Sequence, residues 1–243
     1  MAILHRTRKH SQEEIFSSYN WWDKSCVLNH ITGERCDYIE SCIERVFGVG
    51  ALRQQVVLEV GCGGGLICET LARRGAVVIG IDPAQAALQA ARTHVAQSGL
   101  GQNAYFEQGY AETLPYADGS FSVIVCLDVL EHVSNLAATI REIARVLAPG
   151  GVFIFDTINR TFLARLALIW IGERFFRSSG LVPGLHDYHH FIKPSELCAE
   201  LLANSLQVCE MTGFMPRLAK GRLSLGPGWF KGVSYVGYAT KGR

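Results

Sequence analysis

The residues best suited to chemistry begin at Glu59-Val60-Gly61-Cys62-Gly63-Gly64-Gly65, where an acid precedes a loop with glycine at four of five positions. Such a loop suits left-handed backbone and the close approach of a ligand that a Cβ would exclude. Glu59 selects among ligands: its carboxylate repels a pyrophosphate but attracts an ammonium. Asp82 lies 21 residues beyond Gly61. An acid at that spacing, at the end of the next strand, is placed to accept hydrogen bonds from both hydroxyls of a ribose. Further along, Asp128-Val129-Leu130-Glu131-His132 gathers two carboxyls and an imidazole in five residues.

These groups meet only if strands deliver them to one edge of a sheet. The apolar run ending at Val60 reads as a buried strand, and Leu66, Ile67, Leu71 and Ala72 recur at helical spacing after the loop. Ala76 to Ile81 is a second strand, closed by Asp82-Pro83, and the alanine-rich stretch from Ala84 to Gln97 is a helix ended by Gly99. Ala104 to Phe106 and Ser122 to Leu127 are further strands, the latter carrying Asp128 to the glycine-loop edge. A helix from Asn135 to Leu147 stops at Pro149-Gly150-Gly151, Val152 to Phe155 is the fifth strand, and Ser195 to Asn204 is a helix. Val208 to Met211 and Val233 to Ala239 complete the set as an edge hairpin. This alternation predicts an α/β fold: a Rossmann-like, doubly wound, mainly parallel sheet of seven strands with an antiparallel edge hairpin.

The chain is expected to form one domain over residues 1–243, with a helical N-terminal extension over 1–50 and an insertion over 160–193. In the extension, a helix is expected from near Gly33 to Phe47, and the aromatic cluster from Phe16 to Trp22 reads as core or as a lid over substrate. Residues 160 to 177 mix nine large apolar side chains with four arginines and one acid, which suits either a buried helix or an amphipathic one on a membrane or a greasy substrate.

Composition narrows the partners. With 23 basic and 22 acidic residues the net charge is +1, which gives no electrostatic case for nucleic acid. The acid-free stretch from Thr212 to Arg243 reads as a solvated basic rim or as a surface facing phosphates or anionic lipid. Eight cysteines without a CxxC pair argue against a zinc site and for a reducing, cytoplasmic setting. No run reaches the roughly 18 apolar residues of a membrane span, which leaves peripheral contact as the expected membrane mode.

The loop reads Gly61-x-Gly63-x-Gly65 with Leu at position 66, so it is neither the GxGxxG turn that seats a pyrophosphate nor a P-loop. With Glu59, Asp82 and the Pro149-Gly150-Gly151 turn, it resembles the class I S-adenosylmethionine-dependent methyltransferases. Trp21-Trp22-Asp23, Leu130-Glu131-His132-Val133, Thr157-Ile158-Asn159-Arg160, Gly184-x-His186-Asp187, Phe191-Ile192-Lys193-Pro194 and Leu225-Gly226-Pro227-Gly228 extend the likeness to the ubiquinone-biosynthesis O-methyltransferases. That resemblance implies methylation of phenolic hydroxyls on polyprenylated catechol-type quinone precursors. By position it implies Arg35 for the cofactor carboxylate, Gly61 and Gly63 for the methionine portion and its loop, Asp82 for the ribose, and the backbone of Leu127 beside the adenine. It also implies a divalent-cation site, Mg²⁺ or Mn²⁺, on Asp128, Glu131 and His132. The family commonly has glutamate where Asp128 stands, and arginine where Asn20 stands. A cation would stabilise a phenolate as a Lewis acid; alternatively His132 or His186 takes the proton as general base, and His132 also suits simple packing at a strand end.

Overall fold

The computed structural model describes residues 12–17, 19–23, 26–173, 184–219 and 222–242. Residues 1–11 of the N-terminal extension and residues 174–183 of the insertion lie outside the described residues. At the front stand α1 (Gln12–Ser17) and α2 (Val27–Phe47); α2 starts six residues before the expected Gly33. Its buried stripe of Tyr38, Ile39, Cys42 and Ile43 follows helical spacing, which is why the helix forms through Gly33.

Eight strands form one sheet in the order β3-β2-β1-β4-β5-β8-β6-β7. The parallel part comprises β1 (Val56–Val60), β2 (Val77–Asp82), β3 (Ala104–Gln108), β4 (Phe121–Cys126) and β5 (Leu147–Ile158). Order reverses between β1 and β4, and ligands of such sheets sit at that switch, beyond the carboxyl ends of the strands. Glu59, Asp82 and Asp128 all fall at that edge because β1, β2 and β4 run in register.

Along the strands, side chains alternate between two apolar layers. Val57, Val123 and Ile154 face α2, α3 (Leu66–Arg73) and α4 (Gln85–Gln97). Leu58, Ile124 and Phe155 face α5 (Leu136–Val146) and a C-terminal helix over Pro194–Ala203. Both faces being covered explains why these strands read as unbroken apolar runs. Asn135 caps α5 by accepting the Ala138 N–H at 3.0 Å.

Two expectations change. Pro149-Gly150-Gly151 lies within β5, where the pairing with β4 shifts register between Phe121 and Val123. The sheet also has eight strands: β6 (Leu206–Ala219) forms the edge hairpin with β7 (Arg222–Gly228), and β8 (Ser234–Lys241) lies between β5 and β6. The missed strand is the one containing Leu225-Gly226-Pro227-Gly228. Glycine and proline are poor strand formers, but an edge strand tolerates a proline that donates no ladder hydrogen bond.

The insertion begins with a helical segment whose first turn is α6 (Phe162–Ala164), continuing with π-type geometry over Arg165–Gly172. Phe162, Leu163, Trp170 and Ile171 are exposed, so this segment is not the fully buried helix of one expectation. No helix among the described residues is long and apolar enough to cross a membrane.

Candidate active site

A continuous cavity of about 730 Å³ opens at the carboxyl edge of the sheet. Arg35, Glu59, Gly61, Asp82, Leu127, Asp128, His132 and His186 all line it. Gly63 is not among the lining residues. Gly61, Gly63 and Gly65 take positive φ of 75°, 49° and 80°, which accounts for glycine at these positions. The close approach they permit, however, is to protein: a Cβ on Gly63 or Gly64 would overlap the Trp21 ring, and one on Gly61 would overlap Val129. Trp22 adds a hydrogen bond from Nε1 to the Gly64 carbonyl at 3.0 Å and stacks on His94 with ring centroids 3.3 Å apart. Phe16, Tyr19 and Trp21 also line the cavity, so the aromatic cluster acts as its cover.

The backbone fixes the cofactor end. Asp82 accepts the Gly63 N–H at 2.9 Å with one carboxylate oxygen and the Ala84 N–H at 2.8 Å with the other. A carboxylate offers about four acceptor positions, more than these two amides use. Glu59 is buried and accepts the Cys68 thiol at 2.8 Å. Burial pushes its carboxyl up to about 8, with Asp82 adding to the rise and Cys68 and Arg35 opposing it.

Long-range side-chain pairs hold the other end. Arg35, carried by α2, pairs with Asp128 at 2.6 Å and Asp156 at 2.9 Å. It is therefore not the free cation expected for a ligand carboxylate, and its buried Nε has no hydrogen-bond partner among the described residues. Asp156 also accepts the Asp128 N–H at 2.6 Å. Asp128 sits at φ 54°, a left-handed conformation that aspartate tolerates better than most non-glycine residues. Burial together with the carboxylates of Asp128 and Glu131 pushes Asp156 up to about 8 against the pull of Arg35.

The divalent-cation set is not assembled in this arrangement. Asp128 is committed to Arg35, and Glu131 turns one oxygen to the Thr157 hydroxyl at 2.7 Å, leaving Oε1 buried without a partner. Among the described residues, no three His, Cys, Asp or Glu side chains are grouped to hold a metal ion. The donor set therefore does not fit the implied cation as it stands. His132 packs edge-on to Phe16 and lies 5.6 Å, ring to ring, from His186. Burial and the nearby His186 lower the His132 proton affinity to about 3, so its ring is neutral at neutral pH.

Sequence reasoning passed over Asp156 and Glu173. An acid closing the apolar run Phe153-Ile154-Phe155 was a readable signal, of the same kind as Glu59 at the end of β1. Glu173 gave none, since it lay among arginines where a solvated acid is ordinary.

A buried carboxyl for a cation and an acid for a ribose, at the carboxyl edge of the sheet, fit S-adenosylmethionine, and together with the sheet they define an S-adenosylmethionine-dependent methyltransferase. The methyltransferase domain family matches residues 58–155. An S-adenosylmethionine-dependent methyltransferase from Methanosarcina mazei shares the fold, with TM-score 0.59 and 23% identity over 77% of this chain and 92% of that one. Magnesium protoporphyrin IX methyltransferase from Synechocystis does so with TM-score 0.60 and 20% identity, over 88% of this chain and 87% of that one. The ubiquinone biosynthesis O-methyltransferase of Hahella chejuensis is 38% identical over 92% of this chain and 90% of its own length. That of Acinetobacter baylyi is 36% identical over 79% of each. The chain belongs to the ubiquinone biosynthesis O-methyltransferase family.

Proposed function

We propose that the acceptor is a phenolic hydroxyl of a catechol-type quinone precursor with a polyprenyl tail, and that residues 160 to 177 bring the enzyme to the membrane where such a tail dissolves. The observation that carries this reading is the cavity itself. Its lining combines Gly61, Asp82, His132 and His186 with the apolar side chains of Leu28, Ile31, Leu168, Phe214 and Leu225. Bound S-adenosylmethionine supplies an electrophilic methyl group on a positively charged sulfur. The chain binds that donor through Asp82, Glu59 and Arg35, excludes water with Trp21 and its aromatic neighbours, and offers His132 or His186 to the phenolic proton.

Leu168 lines the cavity while Phe162, at 66% exposure, and Trp170, at 47%, face outward from the same segment. An apolar patch beside Arg160 and Arg165 suits the boundary of an anionic bilayer, with a tail passing from lipid to cavity along the helix. All eight cysteines are free, which supports a reducing, cytoplasmic setting.

The test is methyl transfer to a prenylated catechol and to the same catechol without its tail, with flotation on anionic vesicles alongside. The prenylated acceptor is expected to react better, and Phe162→Ser with Trp170→Ser to leave the protein in the supernatant. Equal use of the tail-less catechol by a protein that never floats would overturn the proposal.

A further inference from the structure

Glu173 closes the helical segment that follows β5 and is almost fully buried. Its carboxylate bridges back to the start of the next described stretch: Oε2 accepts the Gly184 N–H at 2.8 Å, and Oε1 accepts the His186 N–H at 2.9 Å. These two backbone donors fix the direction of the carboxylate before any ring is considered. The same Oε1 lies 3.1 Å from Nδ1 of His186. An ionised carboxylate only accepts, so it selects the tautomer with hydrogen on Nδ1 and leaves a lone pair on Nε2.

We propose that Glu173 is a positioning residue for His186, fixing its ring so that Nε2 is the acceptor for the phenolic proton of the substrate. His186 lines the cavity, with the His132 ring on one side and Phe191, 6.1 Å away between centroids, on another. Nε2 makes no hydrogen bond among the described residues. His132 lacks an equivalent orienting group, since neither of its ring nitrogens has a hydrogen-bond partner among the described residues. In the step itself the phenolic O–H bond breaks, its electron pair stays on oxygen, and the proton passes to Nε2; Glu173 then faces the positive charge on the ring without taking the proton. An imidazole oriented by a buried carboxylate is a general solution for a base that must hold one tautomer.

The proposal rests on the phenolic acceptor for the identity of the proton donor, but the tautomer is measurable without turnover. Imidazole ¹⁵N spectra of the full chain with S-adenosylhomocysteine added should show His186 protonated on Nδ1 and bare on Nε2. Glu173→Gln, whose amide can donate to Nδ1, should shift the ring toward hydrogen on Nε2 and lower kcat roughly 10- to 100-fold. Acceptor KM should change little, and Glu173→Asp should recover part of kcat. A wild-type ring protonated on Nε2 overturns the proposal, as does a Gln variant with unchanged kcat, or one that loses activity with the tautomer unmoved. If the Gln variant fails to fold, the wild-type spectrum still decides. An Nδ1-protonated ring in an enzyme that methylates no catechol would uphold the pairing and defeat the acceptor reading instead.

Discussion

The two ends of the cavity are built by different means. At the cofactor end, Asp82 is held by the amides of Gly63 and Ala84, groups that any side chain on the same backbone would present. At the acceptor end, which Arg35 joins to the cofactor end, that guanidinium holds Asp128 and Asp156, Thr157 holds Glu131, and Glu173 holds His186. Each of those pairs joins two side chains from different segments. A site set by backbone keeps its shape when a neighbouring side chain changes, whereas a site set by pairs loses one group whenever it loses the other. The acceptor end should therefore be the more fragile and the more readily re-specified.

The largest effect expected from this contrast is on stability. Arg35→Met removes the guanidinium from two acids while filling similar space, leaving the buried Asp156 beside Asp128 without its counter-charge. Removing one partner of a buried ion pair costs about 3–5 kcal/mol, and urea unfolding would read it directly. A loss below about 1 kcal/mol would mean that the acids simply take up protons and that the pairing does not hold this end together.

Asp82→Asn probes the opposite end. The amide keeps one acceptor oxygen, so one backbone N–H of the pair at Gly63 and Ala84 loses its partner, and the ribose loses a charged acceptor. Hydrogen bonds to charged groups contribute about 1.5–3 kcal/mol, so S-adenosylmethionine affinity should fall roughly 10- to 100-fold in calorimetry. Unfolding should respond less than in Arg35→Met. If instead stability collapses while affinity holds, Asp82 is a loop clamp rather than a ligand contact.

The same contrast explains what could be read from the sequence. The glycine loop and Asp82 were legible because adjacent parallel strands convert a fixed spacing into a fixed juxtaposition. The mainly parallel, doubly wound sheet followed from alternation, and the sheet-edge position of Asp128 from its place directly after the fourth strand. The Arg35–Asp156 pair was not legible, because no periodicity links α2 to the end of β5. Nor was the cover on the glycines: an aromatic cluster near Trp21 was visible, but that it occupies the space above Gly63 and Gly64 depends on how the N-terminal segment folds back. Similarity by position carried Asp128, Glu131 and His132 as one set, whereas in the fold Arg35 and Thr157 draw the two carboxyls to separate partners.

The smallest expected effect separates the two ends by pH. Glu59 has its carboxyl raised to about 8, chiefly by burial, against an ordinary value of 4.5. An acid raised in the folded state binds its proton more tightly there than in the unfolded chain. Its contribution to stability is therefore full at low pH and is lost as pH rises from about 4.5 through about 8. Asp156, at about 8, and Glu131, at about 7, push free-protein stability in the same direction, so stability alone does not isolate Glu59. A ligand does. A cation beside Glu59 favours the ionised carboxylate, so the stabilisation by saturating S-adenosylmethionine, read from the rise in Tm, should grow between pH 6 and pH 8.5, by at most about 1.4 kcal/mol per unit. Glu59→Gln should abolish that growth while leaving the trend of the ligand-free protein, which the acceptor-end acids sustain. A ligand-induced shift that stays flat in the wild type, or grows equally in the Gln variant, would place the cationic sulfur away from Glu59.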